Sequence, residues 1–196
     1  MSRWEPNTRA RLERASLDLF TERGYDATTV AEITERAGLT KRTFFRYFAD
    51  KREVLFGGQE ILSRLLIDGI TGAPGTATPF DVITAALEAL TPAFAPERLD
   101  LVRQRQAIVA AHQDLREREL LKGTTLTAAM ADGFRQRGLA EPVVNVAAQL
   151  GSLALSMTFA RWVASTDDEK FADLARDVVA ELRTAAAALD RSAKDS

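Results

Sequence analysis

"TTVAEITERAGLTKRTFFRYFADK", residues 28–51, decides how the chain is read. Thr29 is followed three residues on by Glu32, the spacing of a capping box, in which side chains and backbone at a helix start satisfy one another. Val30, Ile33 and Ala37 then recur at helical spacing and face inward. Gly38 ends that helix, one more residue completes the turn, and Thr40 caps a second short helix. Two short helices joined by a tight glycine turn describe a helix-turn-helix.

The second helix is unusually dense. Of the fourteen aromatic residues in the chain, four (Phe44, Phe45, Tyr47 and Phe48) fall within five positions, among Lys41, Arg42, Arg46 and Lys51. At about 100° per residue, Phe44 and Phe48 share the side that faces a core. Arg42, Phe45 and Arg46 point away from it, with Tyr47 on the flank. An exposed phenylalanine between arginines is costly unless something covers it. In a DNA major groove it packs on a thymine methyl while an arginine reads a guanine edge. The Thr40 hydroxyl, the helix N-terminus, the Tyr47 hydroxyl and Lys51 suit phosphates. A lysine in the first turn of the following helix opposes the helix dipole, so an anion explains it better than helix stability. The competing readings are a charged amphipathic helix with one stray aromatic, or a surface that docks on another protein.

The totals narrow the function classes. With 196 residues, 46% hydrophobic and 28% charged, the chain has ordinary globular composition. It contains no cysteine, so it forms no disulfide and no thiolate metal site. Its single histidine leaves few zinc or general-base arrangements. No G-x-S-x-G, H-E-x-x-H, phosphate-loop or dinucleotide glycine motif appears, and no enzyme, cofactor or metal is expected. The net charge of −2 hides an asymmetry. Residues 1–56 carry eleven basic and nine acidic side chains, and the remainder fifteen and nineteen. An acidic body with one small basic face points to a local anionic partner. The segment "MSRWEPNTRARLERA" lacks the apolar stretch of a signal peptide, and a cytoplasmic location is expected.

No stretch alternates with period two, and the pattern predicts an all-α protein of about nine helices. The first helix covers residues 8–23, with Gly24 as its stop. Asp50 caps a fourth helix that continues through a bend at Gly57 and Gly58. Residues 68–79, "DGITGAPGTATP", read as a linker. Helices follow at about 79–94, 96–111, 114–137, 142–165 and 168–189, three of them opened by Pro79, Pro96 and Pro142. Residues 190–196 read as a frayed tail. The expected domains are 1–56, the helix-turn-helix, and 57–196, joined by the linking helix.

The segment "LDLFTERGYDATTVAEITERAGLTKRTFFRYFADKREVLF" resembles the DNA-binding domain of TetR-family transcriptional regulators, and the resemblance covers about residues 8–56. The motifs that carry the likeness are "LF-x-x-x-G" in the first helix, "TTV-x-x-I" at the start of the second and "F-x-x-K" entering the fourth. The resemblance implies that Thr40, Lys41, Arg42, Thr43 and Phe45 approach the groove. It implies that Tyr47 and Lys51 hold the DNA backbone and that Thr29 adds a phosphate contact. Arg9 or Arg11 would reach a minor groove. The family often has tyrosine where Phe45 stands, so here only apolar contact remains. Beyond residue 56 the likeness is one of layout: an all-helical body that dimerises and binds a small effector. It implies a homodimeric repressor on a palindromic double-stranded DNA operator, released by the effector, or alternatively an effector-driven activator.

Residues 142–160 form a nineteen-residue uncharged run, long enough to raise a membrane span. Asn145, Gln149, Ser152 and Ser156 make a polar stripe along it, and small residues line another face, so a helix between protein neighbours is expected and no membrane. The last helix repeats Phe171, Ala175, Val178, Leu182, Ala185 and Leu189 as a narrow seam. The resemblance implies that Gln149, Ser152, Ser156, Phe171, Ala175, Val178, Leu182 and Leu189 lie at a two-fold interface; the alternative is that the two helices pack only within one chain. An apolar effector cavity is expected along Phe94, Ile108, Leu126, Met130, Phe134, Met157, Phe159 and Trp162, although the same spacing suits ordinary core. Residues 115–134 are similar to the body of a TetR subgroup with acyl-coenzyme-A-like effectors. In that case Arg103 or Arg105 meets an anionic part of the ligand. His112 reads as a surface or capping residue.

Overall fold

The computed structural model describes residues 8–166 and 169–192. The expected start of the last helix at 168 and the tail from 193 onward lie outside the described residues. Nine α-helices and three short 3-10 turns make up the described fold, with no strand among them. The chain divides into two compact units, residues 1–57 with 100–120, and residues 58–99 with 121–196.

In the first unit, α1 (Thr8–Arg23), α2 (Val30–Arg36) and α3 (Lys41–Tyr47) enclose Leu12, Leu19, Phe20, Ile33, Phe44 and Phe48. Both predicted caps are present. Thr29 and Glu32 close the capping box of α2, and Thr40 accepts from the Thr43 N–H at 3.1 Å. The turn pivots at Gly38, where the Leu39 N–H reaches back to the Thr34 carbonyl at 2.8 Å. Residues 100–120, which the sequence reading placed in the second domain, fold with this unit. They comprise most of α6 (Leu99–Ala111) and the start of α7 (Gln113–Gln136), and they add Ile108, Val109 and Leu115 to its core.

The expected fourth helix is not continuous. Asp50 does cap a turn, accepting from the Glu53 N–H at 3.0 Å, but that turn is a single 3-10 segment, Arg52–Val54. The helix α4 (Gln59–Gly72) begins afresh after Gly58, whose φ of +91° is a left-handed conformation that no right-handed helix passes through.

The expected linker at 68–79 is also corrected, because α4 runs through its first five residues. Gly69 belongs to the helix for a packing reason: a Cβ there would lie 2.8 Å from the Ala85 carbonyl and the Ala86 Cα. Glycine lets α4 approach α5 (Pro79–Glu88), and the two pack along each other. The helix predicted at 79–94 divides after Glu88 into α5 and a 3-10 turn, Thr91–Phe94, which contains Pro92. The one predicted at 96–111 begins as a 3-10 turn, Pro96–Arg98, before α6. In the second unit α8 (Glu141–Ala164) lies along α9 (Phe171–Ser192), and α5 packs against both. By length and composition α8 could cross a membrane. Its Val144, Ala147, Ala148, Gly151, Ala154 and Trp162 are instead buried within the protein.

Candidate functional site

Helix α3 is a short platform fixed from one side. Phe44 is fully buried and Phe48, its C-cap, is 3% exposed, whereas Phe45 is 55% exposed. The Phe45 ring sits edge-on to Phe44, with centroids 5.4 Å apart and planes at 82°, so an apolar surface ring is held by a buried one. Lys41 and Arg42 are exposed on the same helix, and the Arg46 guanidinium lies 5.0 Å from the centre of the Tyr47 ring. Residues 37–49 contain three cations and no acid. The division read from helical spacing is therefore what the structure displays: two rings anchor, one ring and the cations face outward.

The flanking groups are less uniform. Thr40 and Thr43 are hydroxyl neighbours at 3.0 Å at the exposed start of α3. Thr29 is exposed, yet its hydroxyl donates to the Glu32 carboxylate at 2.8 Å. The backbone N–H and hydroxyl of Thr29 together hold the Glu32 carboxyl below its usual range. The proton expected to meet a phosphate is thus given to Glu32 in the free protein.

Lys51 corrects the sequence reading. Its Nζ donates to the carbonyls of Tyr25 at 2.6 Å and Thr28 at 3.0 Å, reaches that of Asp26 at 3.4 Å, and lies 4.2 Å from the centre of the Tyr25 ring. An ammonium has three donors, and all three are directed into the α1–α2 loop. Burial pushes its pKa down, against the pull of Asp26 and Asp114. The side chain ties that loop together instead of standing as a free phosphate clamp. Lys51→Met keeps the stem and removes the donors, and should cost on the order of 1–2 kcal/mol of stability in a denaturant titration. The salt slope of DNA binding should stay the same. A variant of undiminished stability with a shallower slope would restore the phosphate role.

Tyr25, beneath that ammonium, gives a pH signature. Burial pushes its phenol up to about 12, with Asp114 adding to the effect. In an unfolded chain a tyrosine titrates near 10. Between these values the folded state keeps a proton that the unfolded state loses. Its stabilising contribution is therefore complete below about pH 10 and falls as pH rises towards 12. Denaturation at pH 9 and pH 11 should show this loss, and Tyr25→Phe should reduce it. An unchanged loss in the variant would assign it to other groups.

Other basic residues that the sequence offered to DNA are also engaged. Arg9 lies over the Phe48 ring at 5.3 Å and pairs with Glu13, and Arg11 donates to the Ala37 carbonyl at 2.6 Å, closing the end of α2. His112 caps its own helix, with Nδ1 2.8 Å from the Ile108 carbonyl and its ring edge-on to Tyr25. Sequence reading did not find the network behind the turn. Arg105 bonds to the Leu55 carbonyl and to Glu119, Arg118 bonds to Glu53, and both guanidinia approach the Phe56 ring. The only signal for it was the run of arginines and glutamates in residues 103–119.

The residues expected around an effector are divided between the two units. Arg105 and Ile108 are structural parts of the first unit, and Arg103 pairs with Asp100 at 3.8 Å on the same helix. In the second unit Met130 and Phe134 are buried and Leu126 and Met157 half-buried. Phe94, Phe159 and Trp162 do converge, and Phe171 joins them. The Trp162 Nε1 is buried there without an acceptor among the described residues. A separate open cleft of about 560 Å³ is lined by Thr71, Ala73, Val82, Arg137, Leu139, Val143 and their neighbours, and by none of the expected residues.

The expected two-fold residues also separate. Phe171, Ala175 and Val178 are buried inside the chain, so the first half of the α9 seam closes on its own unit. This corrects their assignment to an interface between copies. A narrow apolar seam does not distinguish a neighbouring helix in the same chain from one in a partner. Gln149, Ser156 and Leu189 are exposed, Ser152 accepts from Thr127, and Leu182 is half-buried. Beside Gln149 and Ser156, α8 also exposes Val143, Val146 and Leu153.

A model of the bacterial regulatory proteins of the tetR family matches residues 13–56. Over these residues the chain is similar to that family. TcmR, an HTH-type transcriptional regulator of Streptomyces glaucescens, is 34% identical over 83 residues, which is 42% of this chain and 37% of TcmR. The chain thus matches little more than a third of that relative's length. Among solved structures, a TetR-family regulator from Syntrophomonas wolfei superposes with a TM-score of 0.63 at 18% identity, covering 93% of this chain and 96% of its own. FadR from Thermus thermophilus, a TetR-family repressor in complex with lauroyl-CoA, gives 0.51 at 23% identity, covering 87% and 91%. These likenesses show that nearly the whole chain shares the fold of these solved structures.

Proposed function

We propose that the chain is a sequence-specific, double-stranded-DNA-binding transcriptional regulator of the cytoplasm. It acts as a homodimeric repressor that a small effector releases from a palindromic operator. The observation that carries this reading is α3: an exposed Phe45 among cations, fixed by the buried Phe44, with no acid from residue 37 to 49. Thr40, Lys41, Arg42, Thr43, Phe45 and Tyr47 are the proposed contacts, sorted into groove and backbone roles as their exposure suggests. The uncharged outer face of α8, with Val143, Val146, Gln149, Leu153 and Ser156, is proposed as the two-fold contact. Two recognition helices related by such an axis match half-sites one or more turns apart. Release follows if the effector favours a state whose two helices no longer fit that spacing.

The test is binding to the DNA upstream of its own gene across a salt series, with sedimentation of the complex. Expected are two chains per site and an affinity that falls log-linearly with salt. One chain per site, or binding indifferent to salt, would favour a protein-docking role for α3. An acyl-coenzyme-A-type effector, supported by the likeness of residues 115–134, is tested by lauroyl-CoA. It should raise the melting temperature and weaken DNA binding, and an unmoved melt excludes it.

A further inference from the structure

Four rings of the second unit form one cluster: Phe94 at the end of the Thr91–Phe94 turn, Phe159 and Trp162 on α8, and Phe171 opening α9. Phe94 stacks on Phe171 with centroids 4.3 Å apart and planes 18° apart, and it meets Trp162 at 5.4 Å and Phe159 at 5.7 Å, both edge-to-face. Trp162 and Phe171 are buried, whereas Phe94 and Phe159 are half-exposed. Ring packing accounts for the four side chains as apolar core. It does not account for the indole N–H, which is buried with no acceptor among the described residues. Buried tryptophans normally find one, and a buried donor left alone calls for a reason.

We propose that this cluster binds a small, neutral, planar aromatic molecule bearing a carbonyl oxygen. The molecule displaces the Phe94 ring, stacks on Phe171 in its place and accepts the hydrogen bond from Trp162 Nε1. Phe94 is the removable ring for two reasons. It is half-exposed while touching all three others, and it sits on a four-residue 3-10 turn with no side-chain cap. The slot it vacates is flat, because its plane is nearly parallel to that of Phe171. A neutral acceptor is specified because a bare carboxylate would be buried uncompensated; Arg161, the residue before Trp162, is committed to Glu181 at 2.6 Å and 2.8 Å. This inference rests on the effector-responsive reading above and names an aromatic carbonyl compound as the effector in place of the acyl-coenzyme-A type.

The test uses the full chain with Trp4→Phe, so that Trp162 is the only indole. The probes are 2-acetonaphthone, naphthalene as the matched molecule without an acceptor, and lauroyl-CoA as a third compound. The ketone should quench Trp162 emission saturably and bind about tenfold more tightly than naphthalene, the order expected for one hydrogen bond to an otherwise orphaned donor. In calorimetry Trp162→Phe, with folding checked by circular dichroism, should bind the two equally. Phe94→Ala, at a half-exposed position, should tighten ketone binding by at least about threefold, since no ring has to leave. That arm decides the matter if Trp162→Phe does not fold. Unsaturable quenching, equal affinity for ketone and naphthalene, or ketone binding weakened by Phe94→Ala would overturn the proposal, as would lauroyl-CoA alone altering Trp162 emission. A mobility shift on the upstream DNA with the same protein separates the two levels. DNA binding without ketone binding removes only this inference, and absence of DNA binding removes the regulator reading beneath it.

Discussion

Phe44→Ala should lower the stability of the first unit by about 3–5 kcal/mol, the range for removing a buried aromatic ring. The ring is fully buried, touches Phe48 and Phe45, and lies in the cluster formed by α1, α2 and residues 100–120. A small domain has about 5–15 kcal/mol in total, so this one change removes a large share of it. DNA binding should fail with it, because α3 has no other buried residue among its seven. Phe45→Ala, one position along, should change stability by less than about 1 kcal/mol, as expected for a half-exposed side chain. Denaturant titrations of the two variants provide the check. Equal losses would mean that the two rings are not divided between core and surface.

Arg42→Ala should reduce discrimination at one base pair of the operator by about 10–100-fold, the equivalent of 1–3 kcal/mol for a bidentate guanine contact. Arg42 is exposed in the first turn of α3 and Thr40 fixes that turn, so the guanidinium projects from a rigid start. Its neighbour supplies the complementary test. Phe45 can offer only apolar contact, so replacing one thymine by uracil should weaken the native protein and leave Phe45→Ala indifferent. Binding selections that return the same sequence for native protein and Arg42→Ala would move the readout elsewhere on α3.

The first fifty residues were legible because local chemistry and tertiary packing agree there. The Thr29–Glu32 box, the Thr40 cap and the alternation of Phe44 with Phe45 each follow from spacing alone, and α1 occupies residues 8–23 as expected. Legibility ended where the partner of a group is distant in sequence. Lys51 carries a free charge on paper, but its acceptors are carbonyls more than twenty residues earlier. Gly69 reads as a loop residue until α5 is laid against it. Phe171, Ala175 and Val178 form a seam in either case, and only burial shows that the chain itself fills it. The aromatic cluster was half legible: three of its rings were named, and the fourth had been assigned to a different surface.

The core of the first unit is discontinuous in sequence, and that sets an order of events during synthesis. Ile108, Val109 and Leu115 complete a layer whose other members lie between Leu12 and Phe56. When residue 57 leaves the ribosome, the helix-turn-helix is present but uncovered on that side. At roughly 5–20 residues per second, several seconds pass before the covering segment emerges. Throughout that interval the nascent head exposes apolar surface to solvent and to chaperones. The apolar layer of the first unit is complete only after more than half of the polypeptide has been made.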